Sequence, residues 1–138
     1  MSQENVEIAR RALEAATRTP KPDFATVNAL FHPEHVLVDR IYDTLEGDRE
    51  WVGAEGSREH MAMREELWAG FAITIHSGRA LDEERVLLVG SIGGRGHQSG
   101  APFEVERGWL ITVRDGRVVR TEVHLSPEAA LEAAGLSE

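Results

Sequence analysis

Apolar residues recur at helical spacing from the start of the chain: Val6, Ala9, Leu13 and Ala16 form one stripe, the signature of an amphipathic helix. Ser2 is placed to cap it, and Glu4 and Glu7 suit the positive end of its dipole. The pattern predicts a helix to about Arg18, broken by the TPKP run at 19–22. Asp23 caps a second predicted helix in which Phe24, Val27, Leu30 and Phe31 share a face. Pro33 ends that helix, because the residue before a proline is pushed out of the helical region. Val36 to Tyr42 then reads as a strand, followed by a polar loop through Gly47 and Asp48.

A third helix is predicted from Ala54 to Ala69, its first turn weakened by Gly56 and Ser57. Phe71 to Ser77 alternates, with Phe71, Ile73 and Ile75 against Ala72, Thr74 and His76, which is a strand with one wet face. Arg85 to Ile92 is apolar on both faces and reads as a central strand. The piece GGRGHQSGAP connects it to Phe103–Val113, and Asp115-Gly116 turns the chain into Val118–Leu125. Ser126 caps a last short helix with Pro127 in its first position, and Gly135 stops it.

A hairpin that long must bury one face. If Arg114, Asp115 and Gly116 form a three-residue turn, Ile111 pairs with Val119, Trp109 with Thr121 and Arg107 with Val123 on one face. Leu110, Arg120, Glu122 and His124 then share the other; a two-residue turn would swap the partners. The first set is the better core. The second is too apolar for bulk solvent and too charged for an interior, a composition that suits a homodimer contact in which Arg120 of one subunit meets Glu122 of the other.

With 138 residues, 41% hydrophobic, the chain has the size of one domain over 1–138 with a single core. A formal charge of −9 with scattered arginines argues against nucleic acid or an anionic membrane as partner. There is no cysteine, hence no disulfide, thiolate metal site or thiol nucleophile. The polar start MSQENVEIARR has no signal-peptide core, and no apolar run is long enough to span a bilayer. The expectation is a soluble, cytoplasmic protein.

The order of two helices, a strand, a helix and four strands, with the tract WLITVRDGRVVRTEVHL, resembles the SnoaL-like branch of the NTF2-like superfamily. Gly53 and Gly56 before the third helix, the GRGHQSG hairpin and the SPEAALEAAGL ending carry the same resemblance. It implies an α+β cone, helices packed on a strongly curved antiparallel sheet that encloses a pocket. It implies a small, largely apolar organic ligand in that pocket, with Tyr42, Arg107, Trp109, Thr121 and Val123 among its walls. Members of the superfamily include isomerases, cyclases, epoxide hydrolases and dehydratases, so fold alone does not settle function.

Asp39 interrupts the apolar strand VLVDRIY and, by the resemblance, falls where ketosteroid isomerase-like members carry their proton-abstracting aspartate. A carboxylate beside apolar walls has its charged form disfavoured, which suits a general base. The oxyanion-side acid of those members aligns with Trp109, their first-helix tyrosine has no counterpart, and the epoxide-hydrolase-type aspartate falls near Val123. His60 stands on the third helix three residues before Met63 and seven before Leu67, placed to act as acid, base or donor near neutral pH. The alternative for both is structural: a strand-end aspartate paired with a neighbour, and a boundary histidine. His32 and His35 in HPEH lack the helical spacing of a zinc-protease motif, and neither a metal nor a cofactor is expected. Two functions stay open. One is acid/base chemistry by Asp39 and His60 on an apolar molecule; the other is a non-catalytic binding or interaction module.

Overall fold

A computed structural model of the chain describes residues 2–18, 21–40, 50–96 and 100–135. Helix α1 (Ser2–Ala16) and the short α2 (Phe24–Leu30) lead into strand β1 (Phe31–Asp39). A three-residue strand β2 (Glu50–Val52) and helix α3 (Gly53–Leu67) precede β3 (Trp68–Ala80), β4 (Arg85–Gly96), β5 (Pro102–Arg114) and β6 (Arg117–His124). Helix α4 (Pro127–Ala133) follows. The six strands form one open sheet in the order β2-β1-β6-β5-β4-β3.

The sheet is mixed, which corrects the all-antiparallel expectation: β1 pairs with β6 in parallel, Leu37 opposite Thr121 and Asp39 opposite Val123. That pairing joins elements from the two ends of the chain, and no local pattern announces it. The remaining pairings are antiparallel.

Ala9, Ala12 and Leu13 of α1 are buried against a core of Ile75, Val86, Leu88, Ile92, Trp109, Ile111, Val113, Val118 and Val123. Small residues on α1 let the helix lie close to the sheet, and each large side chain fully buried there contributes roughly 1.5–3 kcal/mol. The second layer is on the opposite face. There Leu87 packs with Ala130 and Leu131 of α4, whose cap is Ser126 accepting from the Ala129 N–H at 3.0 Å.

Several element boundaries differ from the sequence reading. Phe31 belongs to β1 rather than α2: its backbone is extended (φ −100°, ψ 136°) although its N–H still reaches the Val27 carbonyl. Pro33 stands inside β1, at the irregular stretch between Phe31 and Val36, where a missing N–H removes no ladder bond. Trp68 and Ala69 begin β3 instead of ending a helix, and part of the glycine-rich piece, through Gly96, extends β4.

The hairpin turn has two central residues, not three. Asp115 (φ 53°) and Gly116 (φ 76°) both adopt the left-handed region, the type I′ conformation that Asp-Gly favours. An extra residue on β6, Val119, falls between the pairs Thr112–Arg120 and Val113–Val118. The shorter turn and the bulge each move the register by one position relative to a three-residue turn, so Ile111 pairs with Thr121 and Trp109 with Val123. Because the side-chain period is two, the faces survive although every partner changes.

The outer face of that hairpin is largely covered within the chain. Leu110 pairs with Leu87 beneath α4, and Leu110 and His124 are each only 5% exposed. Arg120 Nε donates to Glu122 at 2.8 Å within the same chain, and His124 Nε2 donates to the other carboxylate oxygen at 3.0 Å. The His124 hydrogen bond, with Arg120 beside it, holds the Glu122 carboxyl down to about 2. Arg120, Glu122 and His124 thus pair with one another within the chain. Among the described residues, no helix is long and apolar enough to cross a membrane.

Candidate functional site

Between α1, α2 and α3 on one side and the inner sheet face on the other lies a cavity of about 700 Å³. Its floor follows from register. Asp39, Val123 and Trp109 stand in one row across β1, β6 and β5, and Leu37, Thr121 and Ile111 in the next. Alternation along β1 then brings His35 to the same face as Leu37 and Asp39. Leu37, Thr121, Val123, Trp109, Ile111 and His35 all line the cavity. Ala9, Ala12, Leu13 and Ala16 roof it, and Ala54, Ser57, His60 and Met61 of α3 close one side.

Helix α3 can sit this deep because of Gly56. A Cβ there would stand 2.7 Å from the Trp51 carbonyl carbon and 3.0 Å from its Cα, a separation no side chain tolerates. The close approach lays one turn of α3 on β2, and the next turn delivers His60. The His60 ring meets Trp51 edge-on, with centroids 4.6 Å apart and planes at 68°. His60 Nε2 donates to Asp39 Oδ2 at 2.8 Å, and the two residues are 5% and 3% exposed. The two foremost candidates of the sequence, 21 residues apart, thus form one buried pair.

Their positions relative to the cavity are unequal. His60 is in the lining and Asp39, 2.8 Å from it, is not. Trp109, Thr121 and Val123 are in the lining. Tyr42 lies outside the described residues.

Arg107 does not reach the cavity, a correction to its expected place. At the end of the hairpin its Nη1 donates to the carbonyls of Glu106 and Leu125, at 2.9 and 3.3 Å. The reason is local: β5 passes so close to α4 that a Cβ on Gly108 would stand 2.9 Å from Pro127. The guanidinium is drawn to the carbonyls at that junction. Its Nε is buried with no hydrogen-bond partner.

Two contributors escaped the sequence reading. Trp51, 5% exposed, sits in a strand of three residues, too short for alternation to register. His35 was read as part of a failed metal motif. The HPEH piece is instead extended, so His32 and His35 are not the i, i+4 pair of a helix; His32 Nδ1 accepts from the Glu34 N–H at 3.0 Å. The signal for His35 was available, since it continues the alternation of Leu37 and Asp39 toward the N-terminus, two residues short of Pro33.

His35 is 5% exposed, its Nε2 has no partner, and its ring meets Phe31 edge-on at 4.7 Å. Burial pulls its pKa from 6.5 down to about 4, because the charged form cannot be solvated there. The folded state therefore binds fewer protons than the unfolded chain between these values, and stability is complete above pH 6.5 and falls toward pH 4. The expected loss across that window is on the order of 3 kcal/mol. His35→Leu is expected to erase it in a series of urea titrations and to raise stability at pH 7 by about 1–2 kcal/mol, by removing an unpaired buried nitrogen. An unchanged pH profile would show that His35 is solvated.

Helices packed over an open mixed sheet, with a largely apolar cavity between the layers, make up the NTF2-like α+β fold. The family model for the SnoaL-like domain matches residues 9–121, and the chain belongs to that family. Among solved structures it is similar to a hypothetical protein with a ketosteroid isomerase-like fold from Catenulispora acidiphila DSM 44928, determined with trimethylamine. The TM-score is 0.70 and the identity 20%, covering 94% of this chain and 93% of the other. A putative SnoaL-like polyketide cyclase from Jannaschia sp. CCS1 matches with TM-score 0.71 and 15% identity, covering 88% and 85% of the two chains. TerC, co-crystallised with polyporic acid, matches with TM-score 0.72 and 20% identity over 94% and 96%. At these identities the likeness is one of fold. No curated protein matches the chain by sequence.

Proposed function

We propose that the cavity holds a small, largely apolar organic molecule and that the His60–Asp39 pair exchanges a proton with it. The observation that carries this reading is the 2.8 Å contact between two buried titratable side chains, one of them in the wall of a 700 Å³ cavity. An apolar cavity of that size suits a ligand of one or a few fused rings. A carboxylate behind an imidazole fixes its orientation and stabilises the imidazolium formed when the ring accepts a proton. In this reading histidine is the base and aspartate its helper, the reverse of the order that the sequence suggests. The chemistry proposed here requires only these side chains.

A substrate-independent test is base-catalysed ring opening of 5-nitrobenzisoxazole, a flat apolar molecule whose reaction is a single deprotonation at carbon. The wild-type protein is expected to accelerate it over buffer, and His60→Gln to remove at least about 100-fold of that acceleration, the usual worth of a positioned base. If the probe binds and His60→Gln changes nothing, the pair is structural and the chain is a binding module.

A further inference from the structure

The chain carries 24 acidic residues against 15 basic ones, yet none of the described residues lining its large cavity is acidic. The lining instead includes Arg58, His32, His35 and His60. Arg58 projects from α3 two residues before His60, on an exposed stretch of that helix. Phe24, also in the lining, is 55% exposed, so these two side chains from α3 and α2 stand where the cavity opens to solvent. Arg10, Arg18, Arg40, Arg85, Arg114 and Arg120 each pair with a carboxylate, and Arg95 and Arg107 donate to backbone carbonyls. No carboxylate is seen on Arg58 among the described residues, and Glu55 and Glu59, its neighbours on the helix, are exposed and outside the lining.

From this we infer that the ligand is an amphipathic anion: an apolar body in the cavity, and one carboxylate, sulfonate or acidic enol at the mouth against the Arg58 guanidinium. The inference rests on the proposed reading of the cavity as a small-molecule site. It is a statement about local charge, because a chain of net −9 repels anions at long range and can select one only where its carboxylates are withheld. A guanidinium offers a forked set of donors that matches a carboxylate or sulfonate. At an exposed rim such a contact changes affinity by several-fold rather than by orders of magnitude. An uncharged ligand would leave Arg58 solvated and gain nothing from it.

The test uses two dyes with the same ring system, 8-anilinonaphthalene-1-sulfonate and the uncharged N-phenyl-1-naphthylamine, both fluorescent when transferred from water to an apolar site. Both are expected to bind the wild-type protein and to compete with each other. Arg58→Gln is expected to weaken the sulfonate about fivefold or more while leaving the neutral dye within about twofold, and Arg58→Lys to restore part of the difference. Added salt should weaken the sulfonate selectively in the wild type and much less in Arg58→Gln. An equal effect of Arg58→Gln on both dyes, or none on either, overturns the anion assignment while binding of the neutral dye leaves the cavity reading standing. Failure of the neutral dye to bind overturns both.

Discussion

Trp109→Ala is expected to cost about 3–5 kcal/mol of folding stability, the range for removing a large aromatic ring from a core. The ring is 1% exposed and the largest fully buried side chain in the described structure. It stands mid-sheet, with β5 pairing Leu88 of β4 on one side and Val123 of β6 on the other. It also lines the cavity, so truncation would enlarge a space the neighbours already fail to fill, and little collapse would offset the loss. For a chain of this size the melting temperature should fall on the order of 10 °C or more. Urea titration gives the measurement, with the midpoint expected to move and the slope to stay constant. A loss below about 1 kcal/mol would mean that the ring is not the centre of the inner face, and the row Asp39–Val123–Trp109 would need another account.

The second large effect concerns Asp39, for which two substitutions separate two roles. Asp39→Ala leaves His60 beside Trp51 without its carboxylate, and breaking a buried pair of this kind costs about 3–5 kcal/mol. Asp39→Asn keeps an oxygen and an amide at the same place and should cost only about 1–2 kcal/mol. Its effect on chemistry is expected to be far greater: without the negative charge a protonated imidazole loses its counterion, and turnover of the benzisoxazole probe should drop by roughly 100-fold or more. A double-mutant cycle with His60→Gln tests whether stability and rate arise from the same contact, and coupling of about 1–3 kcal/mol is expected. Independent, additive effects would show that the 2.8 Å contact has no energetic content.

The elements legible in the sequence were those whose burial has one period over many residues. Helix α1 is stamped by Val6, Ala9, Leu13 and Ala16, and the last hairpin by the alternation around Asp115-Gly116. Asp39 and His60 were also legible, as polar residues that interrupt apolar patterns. Their contact was not, because it depends on Gly56 admitting α3 onto Trp51, a relation between backbones. Arg107 was misplaced for a similar reason: strand alternation assigns a face, but the carbonyls that captured its guanidinium belong to the junction between β6 and α4.

Leu110, Arg120, Glu122 and His124 teach the same lesson on the other side of the sheet. Their mixed composition was read as a surface waiting for a second chain. The structure supplies α4 above Leu87 and Leu110, and neighbours on β6 for the charges. A pattern of residues records that a face is covered; it does not record by what.

By itself, then, the sequence determined the order of most elements and which hairpin face turns to the cavity, since each follows from period, turn chemistry and capping within a few residues; the family entered as a resemblance. Only the tertiary structure decided that β1 runs parallel to β6, that His60 meets Asp39 at the cavity wall, and that His35 and Arg58 belong to that wall. Those relations join segments up to about ninety residues apart, and contacts over such separations are set by packing of whole layers, which no local spacing encodes.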